Sequence, residues 1–117
     1  MSNKQVVKEV ATAFLNADVE TALTYMTDDV KMGWPGYFDL APGKQAVREF
    51  FNDIPELVSG STQEFIEDGN TVAACGTVTS REKDGTLKNS FFCDLYEFED
   101  SKVKRIKSYM VFGQGQK

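Results

Sequence analysis

Histidine occurs nowhere in the 117 residues. That absence removes the usual general base, the commonest metal ligand and the one side chain that titrates near neutral pH unaided. Two cysteines, Cys75 and Cys93, are too few for a disulfide scaffold or a zinc site. No apolar run is long enough to span a bilayer, and MSNKQVVKEV does not read as a signal peptide, so the expected location is cytoplasmic. Basic residues number 13 against 18 acidic, for a net charge of −5. That is the wrong sign for a nucleic-acid backbone or an anionic membrane surface, so neither is an expected partner. No metal or cofactor is expected.

What is present is one core's worth of chain. An apolar fraction of 41% with nine Phe excludes disorder, and 117 residues form a single domain, 1–117. Val6, Val7, Val10, Ala11 and Phe14 recur at helical spacing after Ser2 or Asn3. Asp18 caps a second short helix, with Val19, Ala22, Leu23 and Met26 on its face. DDVKM (28–32) reads as a strand, and GWPGYFDLAPG (33–43) as an irregular aromatic loop. Gly43 opens a third helix with Ala46, Val47, Phe50, Phe51 and Ile54 on one side, and Pro55 ends it. After residue 60 the chain reads as strands over 61–67, 71–82, 86–99 and 102–112, followed by a polar GQGQK tail.

Helices first and long hairpins last predict an α+β fold, a cone-shaped roll in which three N-terminal helices pack on a strongly curved mixed, mostly antiparallel sheet. The Asp84-Gly85 pair predicts a two-residue hairpin loop pairing Lys83 with Thr86. That register sets Asp94 opposite Cys75, Phe92 opposite Thr77 and Tyr96 opposite Ala73, with Thr79 and Arg81 on the same face. It sends Val72, Ala74, Val78, Phe91, Cys93 and Leu95 to the other face. The two cysteines then cannot meet and remain free thiols. So much apolar surface on the outer face predicts a homodimer formed sheet to sheet. An odd-numbered loop at 100–102 would bring Ile106, Ser108 and Met110 beside Asp94.

Asp94 is the anomaly, a carboxylate among Phe92, Tyr96 and Phe98, where an unpaired charge must shift its pKa or find a partner. It is either satisfied internally by Tyr37, Ser108 or a helix end, or it serves a ligand as hydrogen-bond donor, acid or base. Trp34, Tyr37, Phe92, Tyr96, Ser108, Met110 and Cys75 are the expected ligand-binding residues around it. Tyr25 is a further candidate at the cavity mouth, and the 33–43 loop is either a lid or a plug. Cys75 has no histidine to activate it and reads better as a buried thiol than as a nucleophile. Arg81, near a hairpin tip, reads as a solvated charge rather than a ligand contact.

LNADVETALTYMTDDV (15–30), GKQAVREFF (43–51) and CDLYEFEDSKVKRIKSYM (93–110) resemble the nuclear transport factor 2-like superfamily, with its ketosteroid isomerases and SnoaL-like polyketide cyclases. The resemblance implies a cystatin-like, SnoaL-like domain with a pocket in the cone, and dimerisation through the outer sheet face. In ketosteroid isomerases an aspartic acid on the corresponding strand stays protonated in an apolar site and donates to a developing oxyanion. Asp94 falls at its place. The isomerase base falls among Met32 to Trp34 and the tyrosine donor at Val10, and none of these can do that work.

The expectation is therefore a binder of a small hydrophobic molecule. If it turns its ligand over, it is a cofactor-free isomerase, cyclase or lyase with Asp94 as catalytic group. The rival is a non-catalytic dimeric interaction module whose cone is filled by its own aromatics.

Overall fold

Local chemistry starts each helix where the sequence signals it. The computed structural model describes residues 1–54 and 56–113, with Glu56 as backbone only. Ser2 Oγ accepts from the Gln5 N–H at 3.1 Å, while the Gln5 side chain accepts from the Ser2 N–H at 3.0 Å. This reciprocal cap opens α1 (Asn3–Leu15). Asp18 Oδ1 accepts from the Thr21 N–H at 3.2 Å and opens α2 (Val19–Leu23). Gly43, at φ 109°, precedes α3 (Lys44–Asp53). The expected stop at Pro55 and the tail at 114–117 lie outside the described residues.

Six strands are described, the first two lying between α2 and α3: β1 (Met26–Trp34), β2 (Phe38–Asp39), β3 (Glu56–Asp68), β4 (Thr71–Arg81), β5 (Leu87–Glu99) and β6 (Lys102–Phe112). They form one sheet in the order β2-β1-β6-β5-β4-β3. Every pairing is antiparallel except β1 with β6, which makes the sheet mixed, as expected. Met26 starts β1 instead of closing the second helical face, and the 33–43 loop folds back as the short β2. Bulges interrupt the register in β3 and between Glu97 and Phe98, and bulges bend strands. Val6, Val7, Val10, Leu23 and Val47 from the helices pack with Met26, Val30, Val72, Phe98, Val103 and Ile106 of the sheet. This makes the α+β cone.

The β4–β5 hairpin corrects the expected register by one residue. The Glu82 N–H donates to the Thr86 carbonyl and the Gly85 N–H to the Glu82 carbonyl, both at 2.9 Å. The loop is therefore Lys83-Asp84-Gly85, three residues long. A two-residue type I′ loop needs positive φ at both Asp84 and Gly85. Here Gly85 has it, at 90°, and Asp84 does not. Asp84 instead accepts from the Thr86 N–H at 2.9 Å, which holds it within the turn.

Asp94 consequently faces Ala74, with Phe92 opposite Gly76 and Tyr96 opposite Val72. Val72, Ala74 and Val78 turn inward with them, while Ala73, Cys75, Thr77, Thr79 and Arg81 turn outward. Cys75 sits directly opposite Cys93 on the outer face. Both are free thiols, but they share a face instead of lying on opposite ones.

The β5–β6 connection also differs from expectation in how it reaches the expected face. Asp100 and Ser101 form a two-residue turn, both at positive φ, and the bulge between Glu97 and Phe98 supplies the odd step. Asp94 pairs with Ser108, Phe92 with Met110 and Tyr96 with Ile106.

Candidate functional site

Where the helices leave the cone unfilled there is a cavity of about 550 Å³. That is an ordinary volume for a small-molecule site. Its walls are mostly apolar. Phe14 of α1 stacks on Phe51 of α3 at 4.5 Å, and Phe51 meets Phe50 edge-on at 5.2 Å. Trp34, at the end of β1, lies between Phe38 and Phe50, at 4.6 and 4.7 Å. Met32, Val78, Phe92, Tyr96 and Met110 close the sheet side.

Few polar groups interrupt this lining. The Ser108 hydroxyl donates to Asp94 Oδ1 at 2.7 Å, across a β5–β6 rung. Burial pushes the Asp94 carboxyl up to about 7, while the Ser108 hydrogen bond pulls the other way. Tyr96 is 1% exposed, and burial first, then the Asp94 charge, holds its phenol well above the usual value. Thr62 Oγ1, beside the β3 bulge, is buried without a hydrogen-bond partner among the described residues. An unsatisfied hydroxyl on a cavity wall is available to a ligand or a water. Near the β4–β5 hairpin the lining becomes charged, with Glu82 and Lys88. The Lys88 ammonium sits 4.1 Å from the centre of the Phe112 ring.

Of the residues singled out from sequence, Asp94, Trp34, Tyr37, Phe92, Tyr96, Ser108 and Met110 all line this cavity. Tyr37 does so from the rim, 71% exposed. Cys75 does not: the one-residue change of register carries it to the outer face. Arg81, opposite Leu87, turns outward with it. Tyr25 packs against the core and is not on the cavity wall. The 33–43 segment supplies one wall through Trp34 and Phe38, with Tyr37 at the rim.

The sequence reading missed Thr62, Ser90, Phe14, Phe50 and Phe51 as lining residues. The helical phenylalanines were visible as apolar faces, but a periodic face does not reveal that part of it borders empty space. Thr62 carried no signal at all.

The isomerase-like counterparts remain apolar in three dimensions. Val10 is fully buried in the core, and Met32 and Trp34 are cavity wall. Asp94 therefore faces the cavity without a second carboxylate at the position of the isomerase base. Among the described residues no group of three or more His, Cys, Asp or Glu could hold a metal ion, and no helix is long and apolar enough to cross a membrane.

A family model described as a SnoaL-like domain matches residues 7–106. No curated protein matches the chain at a significant level. Among solved structures, an uncharacterised cystatin-fold protein from Novosphingobium aromaticivorans superposes with a TM-score of 0.80 at 23% identity, over 95% of this chain and 98% of that one. TerC, co-crystallised with polyporic acid, gives 0.79 at 23% identity, over 95% and 91%. A protein provisionally named a ketosteroid isomerase, from Kribbella flavida, gives 0.81 at 13% identity, over 98% and 80%. At such identities these likenesses speak for the fold.

Proposed function

This chain belongs to the SnoaL-like domain family, and on that premise we propose that its cone binds a small hydrophobic molecule anchored by Asp94. Isomerase-type, cyclase-type and plain ligand-binding roles all suit the family. The observation that carries the proposal is a carboxyl held near neutrality on the wall of a 550 Å³ apolar cavity. A group with a pKa of about 7 exists in both forms at physiological pH. Protonated, Asp94 donates to a ligand carbonyl or hydroxyl oxygen; ionised, it accepts a proton from carbon or oxygen. Ser108 donates to Oδ1 in either state and fixes the carboxyl's orientation. If turnover occurs, it is a one-group proton transfer such as isomerisation, cyclisation or elimination. The open cavity speaks against a cone filled by its own aromatics.

The test begins with the purified full chain mixed with a lipophilic metabolite pool and polyporic acid as one defined probe. After gel filtration, co-eluting compounds are identified by mass spectrometry, with Asp94→Asn and the cavity-filling Met110→Trp in parallel. Wild type is expected to retain an oxygenated lipophile that Met110→Trp excludes and Asp94→Asn holds at least tenfold more weakly. Retention of nothing by wild type, or equal retention by all three, would defeat the proposal.

A separate observation supports self-association. Ile66, Phe91, Tyr109 and Val111 lie on the outer sheet face at 59, 58, 44 and 67% exposure. Phe91 and Val111 are direct cross-strand neighbours. A monomer seldom leaves such a patch in water, and a second copy of this chain is the proposed cover. Light scattering is expected to give a dimer at micromolar concentration, and the doubly substituted Phe91→Glu, Val111→Glu chain a folded monomer. A monomeric wild type would sink this part.

A further inference from the structure

Cys75 and Cys93 face each other across the β4–β5 ladder, outside the cavity. The phase of that ladder is set at both ends. Glu82 and Thr86 share a hydrogen-bonded rung, and the Phe98 N–H donates to the Asn70 carbonyl at 2.8 Å. Counting by twos between these ends places hydrogen-bonded rungs at 76:92 and 74:94. The cysteines occupy the non-hydrogen-bonded rung between them. Such rungs bring paired Cα atoms to about 4.5 Å with both side chains on the same side of the sheet. Disulfides span Cα separations of about 4.4 to 6.8 Å, so this rung needs no backbone movement to be bridged. The Cys75 thiol lies close enough to Cys93 to raise its pKa. Both residues are part-exposed, between Glu64 on β3 and Tyr109 on β6.

We propose that Cys75 and Cys93 form a two-thiol site on the outer sheet face that closes to an intramolecular disulfide when it meets a low-molecular-weight disulfide oxidant. Burial, then contact with the Cys75 thiol and the nearby Asp94 and Glu64 carboxylates, pushes the Cys93 thiol up to about 11. The thiolate of one cysteine displaces one thiolate from the oxidant and forms a mixed disulfide. The other cysteine then loses its proton to solvent and attacks the first Sγ, expelling the second thiolate. Two protein thiols are oxidised, and one oxidant disulfide is reduced to two small thiols. The new bond would tie β4 to β5 one residue from the Ala74–Asp94 rung, without entering the cavity.

The test treats the native full chain with oxidised glutathione and reads it by intact mass, non-reducing gel and peptide mapping. The Phe91→Glu, Val111→Glu chain serves as a form whose outer face is open to the reagent. The expected product has lost two hydrogens, runs as a single chain, carries a Cys75–Cys93 linked peptide and reverts on adding a small dithiol. It should also melt several degrees higher, because closing the hairpin restricts the unfolded chain. Cys93→Ser should stop at the glutathione adduct on Cys75, and Cys75→Ser at the adduct on Cys93. Two free thiols in both the native and the open-face chain would overturn the proposal. So would a persistent mixed disulfide with both cysteines present, or a bridge between two chains.

Discussion

Replacing Asp94 by Asn keeps the shape and an acceptor for Ser108 while removing the ionisation, so it isolates what the buried carboxyl does to stability. The carboxyl titrates at 3.8 in the unfolded chain and at about 7 in the native one. Between those values the native state holds a proton that the unfolded state has released. The contribution of Asp94 to stability is therefore highest below about pH 4, falls as pH rises through the window, and levels off above 7. A shift of about three units at roughly 1.4 kcal/mol each gives about 4 kcal/mol as the full loss. Asp94 is part-buried and faces a cavity that admits solvent, so screening reduces this to about 2–4 kcal/mol. Urea unfolding of wild type and Asp94→Asn at pH 5 and pH 8 measures it, because every other titrating group is common to both chains. Relative to wild type, the Asn chain should gain about 1–2.5 kcal/mol on going from pH 5 to 8, the part of the full loss that falls above pH 5. A carboxyl carbon NMR titration of wild type should show one aspartate with a midpoint near 7. If the two chains have parallel pH profiles, or no aspartate titrates above 5, Asp94 is not the buried acid described here.

Ser108→Ala removes the one hydrogen bond that lowers the Asp94 pKa, so the same NMR midpoint should move upward; a fall would show that another donor dominates. Gly76→Ala would drive its methyl into the Ser61 carbonyl oxygen and the backbone of Thr62, where β3 bulges onto β4. Neither neighbour is a flexible side chain, so thermal melts should show a loss of about 3 kcal/mol or more, or no folded protein. Trp34→Ala strips the ring held between Phe38 and Phe50 and should cost about 3–5 kcal/mol in urea unfolding, with weaker retention of any cavity ligand. A loss below 1 kcal/mol would mean that the Trp34 wall is not packed as described.

Much of the fold was legible because its signals are local. The Ser2 or Asn3 start of α1, Asp18, and the Gly43 start of α3 act within one helical turn, and the alternation of β4, β5 and β6 acts within one strand. The order of these elements, with the family resemblance, was enough for an α+β cone. Asp94 was legible for the same reason, since a carboxylate two residues from Phe92 and Tyr96 is anomalous in any register. No local pattern could decide which residue it faces. That depended on whether Asp84 adopts positive φ, and its bond to the Thr86 N–H keeps it from doing so. One extra loop residue then exchanged the faces of β4 relative to β5. It put Ala74 rather than Cys75 across from Asp94 and brought the two cysteines together. At the other end an unforeseen bulge at Glu97–Phe98 did the work expected of the loop and delivered Ser108 to Asp94 all the same. The cavity itself belongs wholly to tertiary structure. It is the space left where Phe14, Phe50 and Phe51 stop short of the sheet, and an unfilled space has no residue to announce it.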